Sequence, residues 1–147
     1  TISWQFVLLN PPANMENGVL VDSSVYIHLL RKGIDPVAAF LEEFGPLDVI
    51  TCGIVKVEVV RGIKTPKARA HMEAFLSVCQ FVPTTNARYD EATELAWSLD
   101  RSGQVIPATD ILIAVSALHL GASVLTLDQH FSVVPRLSMA KVPESWL

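Results

Sequence analysis

The 147-residue sequence predicts a single α/β domain, a parallel β-sheet flanked by helices, on three observations. Short β-branched runs alternate with longer segments of helical character, the pattern of successive strand–helix pairs. Glycines stand where helices would stop, at Gly33, Gly103 and Gly121, and glycine is the residue that most readily ends a helix in left-handed backbone. Hydrophobic residues make up 50% of the chain, which supplies one well-packed core at this length and not two.

Val19 to Val21 form the first strand, ending at Asp22. The stretch SSVYIHLLRKG continues as a helix with Val25, Ile27, Leu29 and Leu30 apolar, closed by Gly33. Asp35-Pro36 opens a second helix, Val37 to Phe44, with the aspartate as cap and proline in the first turn. LDVITC at 47–52 is the next strand. GIVKVEVVRGI is ambiguous: its Val and Ile favour a strand, while its place between a strand and a polar loop suits a helix, and it is read as a helix.

Lys67 to Cys79 reads as an amphipathic helix with Met72, Phe75, Leu76 and Cys79 on one stripe, and FVPT at 81–84 as a short strand. Asn86 to Ser102 is a helix with Ala92, Leu95, Ala96 and Leu99 inward, stopped by Gly103. Asp110 to Leu120 is a helix apolar on most sides, through Ile111, Ile113, Ala114, Ala117 and Leu118. SVLTL at 123–127 is the strand that delivers Asp128, and a short tail runs to VPESW.

Charge and cysteine content narrow the function. Fifteen acidic and 11 basic residues give a net charge of −4. A nucleic-acid surface is not announced globally and would have to be local. Lys56, Arg61, Lys64, Lys67 and Arg69 make such a cluster around Glu58, with Lys56, Arg61 and Lys64 the candidates for nucleic-acid contact; a solvated helix face is the plainer explanation of the same charges. Cys52 and Cys79 lie in apolar segments without metal-ligand spacing. They read as small buried hydrophobes of a cytoplasmic protein, against a zinc site or a disulfide framework. The amino-terminal WQFVLLN is too short for a membrane span and lacks a basic leader.

Four carboxylates carry the chemistry: Asp22 in VLVDSSVYI, Glu58 in VKVEVVRG, Asp110 in IPATDILIAVSA and Asp128 in VLTLDQHF. Each borders an apolar run, where a carboxylate is costly unless hydrogen-bonded, capped or neutralised. Singly, each has an ordinary explanation. Asp22 suits a helix cap, Glu58 an ion pair with Arg61, Asp110 a first-turn carboxylate and Asp128 a turn. Jointly they share a destination, because ligands collect at the carboxyl ends of strands in a parallel sheet. Four converging carboxylates call for raised pKa values or a hard cation such as Mg²⁺ or Mn²⁺. His28, His71 and His119 read as surface or partly packed residues; His130, two residues after Asp128, is the exception worth testing.

With these motifs in view, the chain resembles the PIN-domain ribonucleases, in particular the toxin of VapBC-type toxin–antitoxin pairs. The resemblance rests on VLVDSSVYI, TCGIVKVEVVRGI, the run IPATDILIAVSALHLGASVLTLDQHF and the terminal Trp146, and covers about residues 18–147. Its most specific part is the carboxylate, long apolar helix, glycine and strand leading to Thr-x-Asp-x-x-Phe. The resemblance implies a PIN-like domain over 18–147; residues 1–17 depart from it as an N-terminal extension of open status, in which Trp4, Phe6, Val7 and Leu9 are expected to pack by apolar contact. It implies that Asp22, Glu58, Asp110 and Asp128 are the catalytic, metal-binding set, with Ser23, Ser24 and Thr126 as hydroxyls that orient them. It further implies Mg²⁺- or Mn²⁺-dependent endoribonuclease activity, a VapB-like antitoxin and a homodimer.

Other readings of the sequence are a PIN nuclease of RNA processing without an antitoxin, and an inactive PIN-like binding module. A haloacid-dehalogenase-type phosphatase would need an aspartate where Ser24 stands. A response-regulator receiver would need an acidic pair after the first strand, which is absent.

Overall fold

In the computed structural model, described for residues 15–45 and 47–147, five parallel strands are flanked by six α-helices. The expected packing of Trp4, Phe6, Val7 and Leu9 lies outside the described residues. In chain order the elements are β1 (Val19–Val21), α1 (Ser23–Arg31), α2 (Pro36–Glu43), β2 (Val49–Thr51), α3 (Gly53–Arg61), α4 (Pro66–Val78), β3 (Gln80–Phe81), α5 (Asn86–Arg101), α6 (Ala108–Leu120), β4 (Ser123–Leu125) and β5 (Ser138–Met139). Short 3-10 helices cover Gln129–Val133 and Glu144–Trp146.

The strand order is β3-β2-β1-β4-β5. From β1 the chain builds outward to β2 and β3, then returns to place β4 on the other side of β1, in register Val19 to Ser123, Leu20 to Val124 and Val21 to Leu125. The order therefore reverses between β1 and β4, and the crevice beyond their carboxyl ends is where such a sheet binds ligands.

The ambiguous GIVKVEVVRG segment is helical. Its Val55 and Val59, four residues apart, are both buried while Val57 between them is 61% exposed, a spacing that only a helix can satisfy with one apolar face. Both central strands are buried throughout, as a parallel sheet covered on its two faces requires. Helix α6 is buried around most of its circumference. Gly121 ends it with φ of +67°, and Ala122 N–H donates to Ala117 O at 3.0 Å, so the chain turns directly into β4.

Strand limits differ from expectation: the strand expected at 47–52 is Val49–Thr51. The strand expected at 81–84 begins one residue earlier and is only Gln80–Phe81, ending before Pro83, which has no N–H to extend a ladder. The strand expected at 123–127 stops at Leu125, and Thr126 and Leu127 instead bond Asp22 and Ser24 after β1. The tail adds a two-residue edge strand, β5, that the sequence reading does not contain. Beyond it Trp146 is buried against Phe40 and Phe44, at ring separations of 5.5 and 6.4 Å.

Candidate active site

The expected carboxylates come together at the switch point. Asp22 follows β1, is 4% exposed, and donates its N–H to Leu125 O at the end of β4. Its Oδ2 accepts from Ser24 Oγ at 2.7 Å and from Thr126 Oγ1 at 2.8 Å. The two hydroxyls lie 3.2 Å apart, and Ser24 Oγ also accepts Leu127 N–H at 3.1 Å. Thr126 Oγ1 accepts Asp128 N–H at 2.9 Å, so a single hydroxyl locks the carboxylate after β1 to the loop after β4.

Asp128 accepts His130 N–H on Oδ1 at 3.0 Å, the cap of the 3-10 helix Gln129–Val133. Asp110 lies in the first turn of α6, where the amino-terminal helix dipole favours negative charge. The His130 ring lies between these two aspartates: Nδ1 is 3.0 Å from Asp128 Oδ1 and 3.2 Å from Asp110 Oδ2. One donor atom each of Asp110, Asp128 and His130 fall within 4.8 Å of one another, a grouping that can hold a metal ion.

Glu58 reaches the same place from α3. Burial pushes its carboxyl up from the ordinary range, and the charges of Asp22 and Asp110 add to the shift; a hydrogen bond with Ser23 and the Arg61 charge oppose it. Burial also raises Asp110, with Asp22 and Asp128 adding to the shift and the His130 hydrogen bond opposing it. Every one of the four carboxylates is thus sensed by another, the electrostatic signature of one site.

Of the flanking residues, Ser24 and Thr126 bond Asp22 directly, and Ser23 serves Glu58. The cations divide differently. Lys56, Arg61 and Lys64 are all exposed. Arg61 is one turn along α3 from Glu58 and acts on it, whereas Lys56 sits about 200° around the same helix from Glu58. Sequence reasoning flagged His130 only by its proximity to Asp128; the ring's bridging of two aspartates follows from the fold. His28 is tied to Trp146 O at 2.7 Å and His71 to Asp35 at 3.2 Å, both away from the carboxylates.

Comparison with solved structures returns the same architecture. VapBC2 of Rickettsia felis, solved bound to a promoter DNA fragment, matches with a TM-score of 0.70 at 21% identity, over 83% of this chain and 96% of that one. FitAcB of Neisseria gonorrhoeae matches at 0.68 and 19% over 83% and 96%. VapC20 of Mycobacterium tuberculosis, described as a sarcin-ricin-loop-cleaving toxin, matches at 0.63 and 18% over 84% and 100%. No curated protein matches the sequence. The PIN domain family matches residues 19–137, a span that contains every carboxylate of the site, and the chain belongs to the PIN domain family.

Proposed function

We propose that this protein is a divalent-metal-dependent endoribonuclease, the toxin of a VapBC-type pair, acting through residues 18–147. The observation that carries this reading is the convergence of Asp22, Glu58, Asp110 and Asp128 at the β1–β4 switch point, with Asp110 and Asp128 spaced for a shared cation.

The donor set fits Mg²⁺ or Mn²⁺. Carboxylate oxygens are the ligands these hard ions prefer, and Glu58 and Asp110 hold their protons more tightly chiefly through burial, with neighbouring carboxylates adding to the shift, a cost that a bound cation would relieve. Asp22, Asp110 and Asp128 would hold the ion, with Glu58 beside it as ligand or as acceptor for an attacking water. A bound divalent ion supplies an acidified water and offsets charge on the scissile phosphate. Ser24 and Thr126 both donate to Oδ2 of Asp22, which fixes that oxygen and leaves the other available to an ion. Arg61 and Lys64, with Lys56 further out, attract the RNA backbone on the α3 side.

The structural neighbours solved as VapBC complexes support a VapB-like antitoxin as partner. A homodimer would set two acidic sites along one groove, and the cell's cytoplasm is the compartment in which such an enzyme meets RNA. Among the described residues no helix is long and apolar enough to cross a membrane.

The test is cleavage of a quenched fluorescent RNA panel by purified protein with EDTA, Mg²⁺ or Mn²⁺, beside Asp110→Asn. Metal-dependent cleavage that drops at least about 100-fold in the variant is expected. Equal cleavage by both proteins, or none with any metal, would reject the reading. Inhibition by the product of an adjacent small gene would distinguish the toxin from a PIN nuclease of RNA processing.

A further inference from the structure

Asp22, Glu58, Asp110 and Asp128 offer oxygen alone, yet a single ring nitrogen contacts two of them. His130 Nδ1 is 3.0 Å from Asp128 Oδ1 and 3.2 Å from Asp110 Oδ2. Adjacent ligands of an octahedral ion with bonds of about 2.1 Å are separated by about 3.0 Å. The ring nitrogen therefore already stands at neighbouring-vertex spacing from each of the two carboxylate oxygens, and one ligand atom from each of the three residues lies within 4.8 Å of the others.

The position of the ring is built by the fold. On its amino side the backbone is fixed by the cap from His130 N–H to Asp128 Oδ1, and on its carboxyl side Phe131 is fully buried. Asp128 is itself fixed through its N–H to Thr126 Oγ1. The imidazole, 48% exposed, thus projects from a defined attachment.

Resting on the metal-centre reading above, we propose that His130 is a direct nitrogen ligand of the metal and that it biases the site toward Mn²⁺ over Mg²⁺. The chemistry follows from donor type: Mg²⁺ holds oxygen and gains little from imidazole, whereas Mn²⁺ and the later divalent ions accept nitrogen at increasing advantage. A site of carboxylates alone would lack this discrimination. His130 thus sets which ion the protein selects when both are present.

The experiment is Mn²⁺ and Mg²⁺ titration of metal-free protein by calorimetry, with pulsed electron paramagnetic resonance of the Mn²⁺ form, on wild type, His130→Ala, His130→Gln and Asp110→Asn. Wild type is expected to show ¹⁴N coupling to Mn²⁺ that vanishes in both His130 variants. Their Mn²⁺ affinity falls about 10-fold or more while Mg²⁺ affinity changes less than about 3-fold. His130→Gln keeps a side-chain amide against the carboxylates, which separates loss of the nitrogen ligand from loss of local structure. Three results overturn the inference: Mn²⁺ bound without nitrogen coupling, equal changes for the two ions, or tighter Mn²⁺ binding in His130→Ala because the ring had been competing for the carboxylates. With Mn²⁺ bound by wild type and lost in Asp110→Asn, any of these removes His130 and leaves the carboxylate centre standing. Absence of Mn²⁺ binding by wild type would reject the centre itself.

Discussion

Asp110 and Glu58 carry their chemical potential in a shared imbalance: each is partly desolvated and each faces other carboxylates, so each holds its proton more tightly than in the unfolded chain. For a carboxyl with a raised folded pKa, the stabilising contribution is complete below the unfolded value of about 4 and is lost as pH rises through the folded one. The metal-free protein is therefore expected to lose stability from these groups on going from acid toward neutral pH. Asp110→Asn removes one of them. Its melting temperature should exceed that of metal-free wild type, and the gap should widen as pH rises; thermal melts of both proteins in EDTA across pH check the sign. A second expectation concerns the threonine that joins the two sides of the site. Thr126→Val keeps the shape and deletes the bonds to Asp22 and from Asp128 N–H, costing about 1–2 kcal/mol of stability and about 10- to 100-fold in metal affinity, measurable by melting and calorimetry. At this scale the sequence revealed the carboxylates because each stood out against apolar neighbours. It did not by itself reveal what Ser24 and Thr126 do, because Thr126 is 104 positions from the aspartate it binds; only the resemblance put them near it.

Helix α6 and its end carry Asp110 at one terminus and turn the chain into β4 at the other, so their local geometry is a requirement of the site. Gly121 has φ of +67°, where a side chain strains the backbone. Gly121→Ala is expected to cost about 1 kcal/mol, read as a lower denaturation midpoint with metal binding unchanged once folded. Helices were legible because their signals are local: Asp35 and Thr65 cap α2 and α4 by accepting from Val37 and Ala68 N–H, and glycines at positive φ follow α1, α5 and α6. Strand limits were less so. Where β4 ends depends on its partner β1 stopping at Val21, and β5 exists only because β4 offers a free edge at Ser123 and Val124. Those are pairings between distant segments, invisible in either segment alone.

The whole molecule is held by one core that runs from the sheet into the carboxyl-terminal segment. Trp146, 6% exposed, closes the aromatic group of Phe40, Phe44 and Tyr26, with Tyr26 edge-on to Phe40 at 4.8 Å. Trp146→Ala is expected to cost about 3–5 kcal/mol, lowering the melting temperature by roughly 10 °C while leaving the carboxylate site assembled at room temperature, since the hydrogen bonds that join Asp22, Thr126, Asp128, His130 and Asp110 do not involve the Trp146 ring. The alternation of strands and helices made the sheet legible as a parallel one, but the order β3-β2-β1-β4-β5 is what places the loops after β1 and β4 side by side. That adjacency makes one centre out of residues spread from 22 to 128. The most direct test is a crystal of the protein soaked in Mn²⁺ and measured at a wavelength where manganese scatters anomalously. The predicted result is a peak in the β1–β4 crevice within about 2.2 Å of Asp110 and Asp128 oxygens, with Asp22 and Glu58 turned toward it. A fully soaked crystal without a peak there, or with manganese only elsewhere on the surface, would contradict the metal centre.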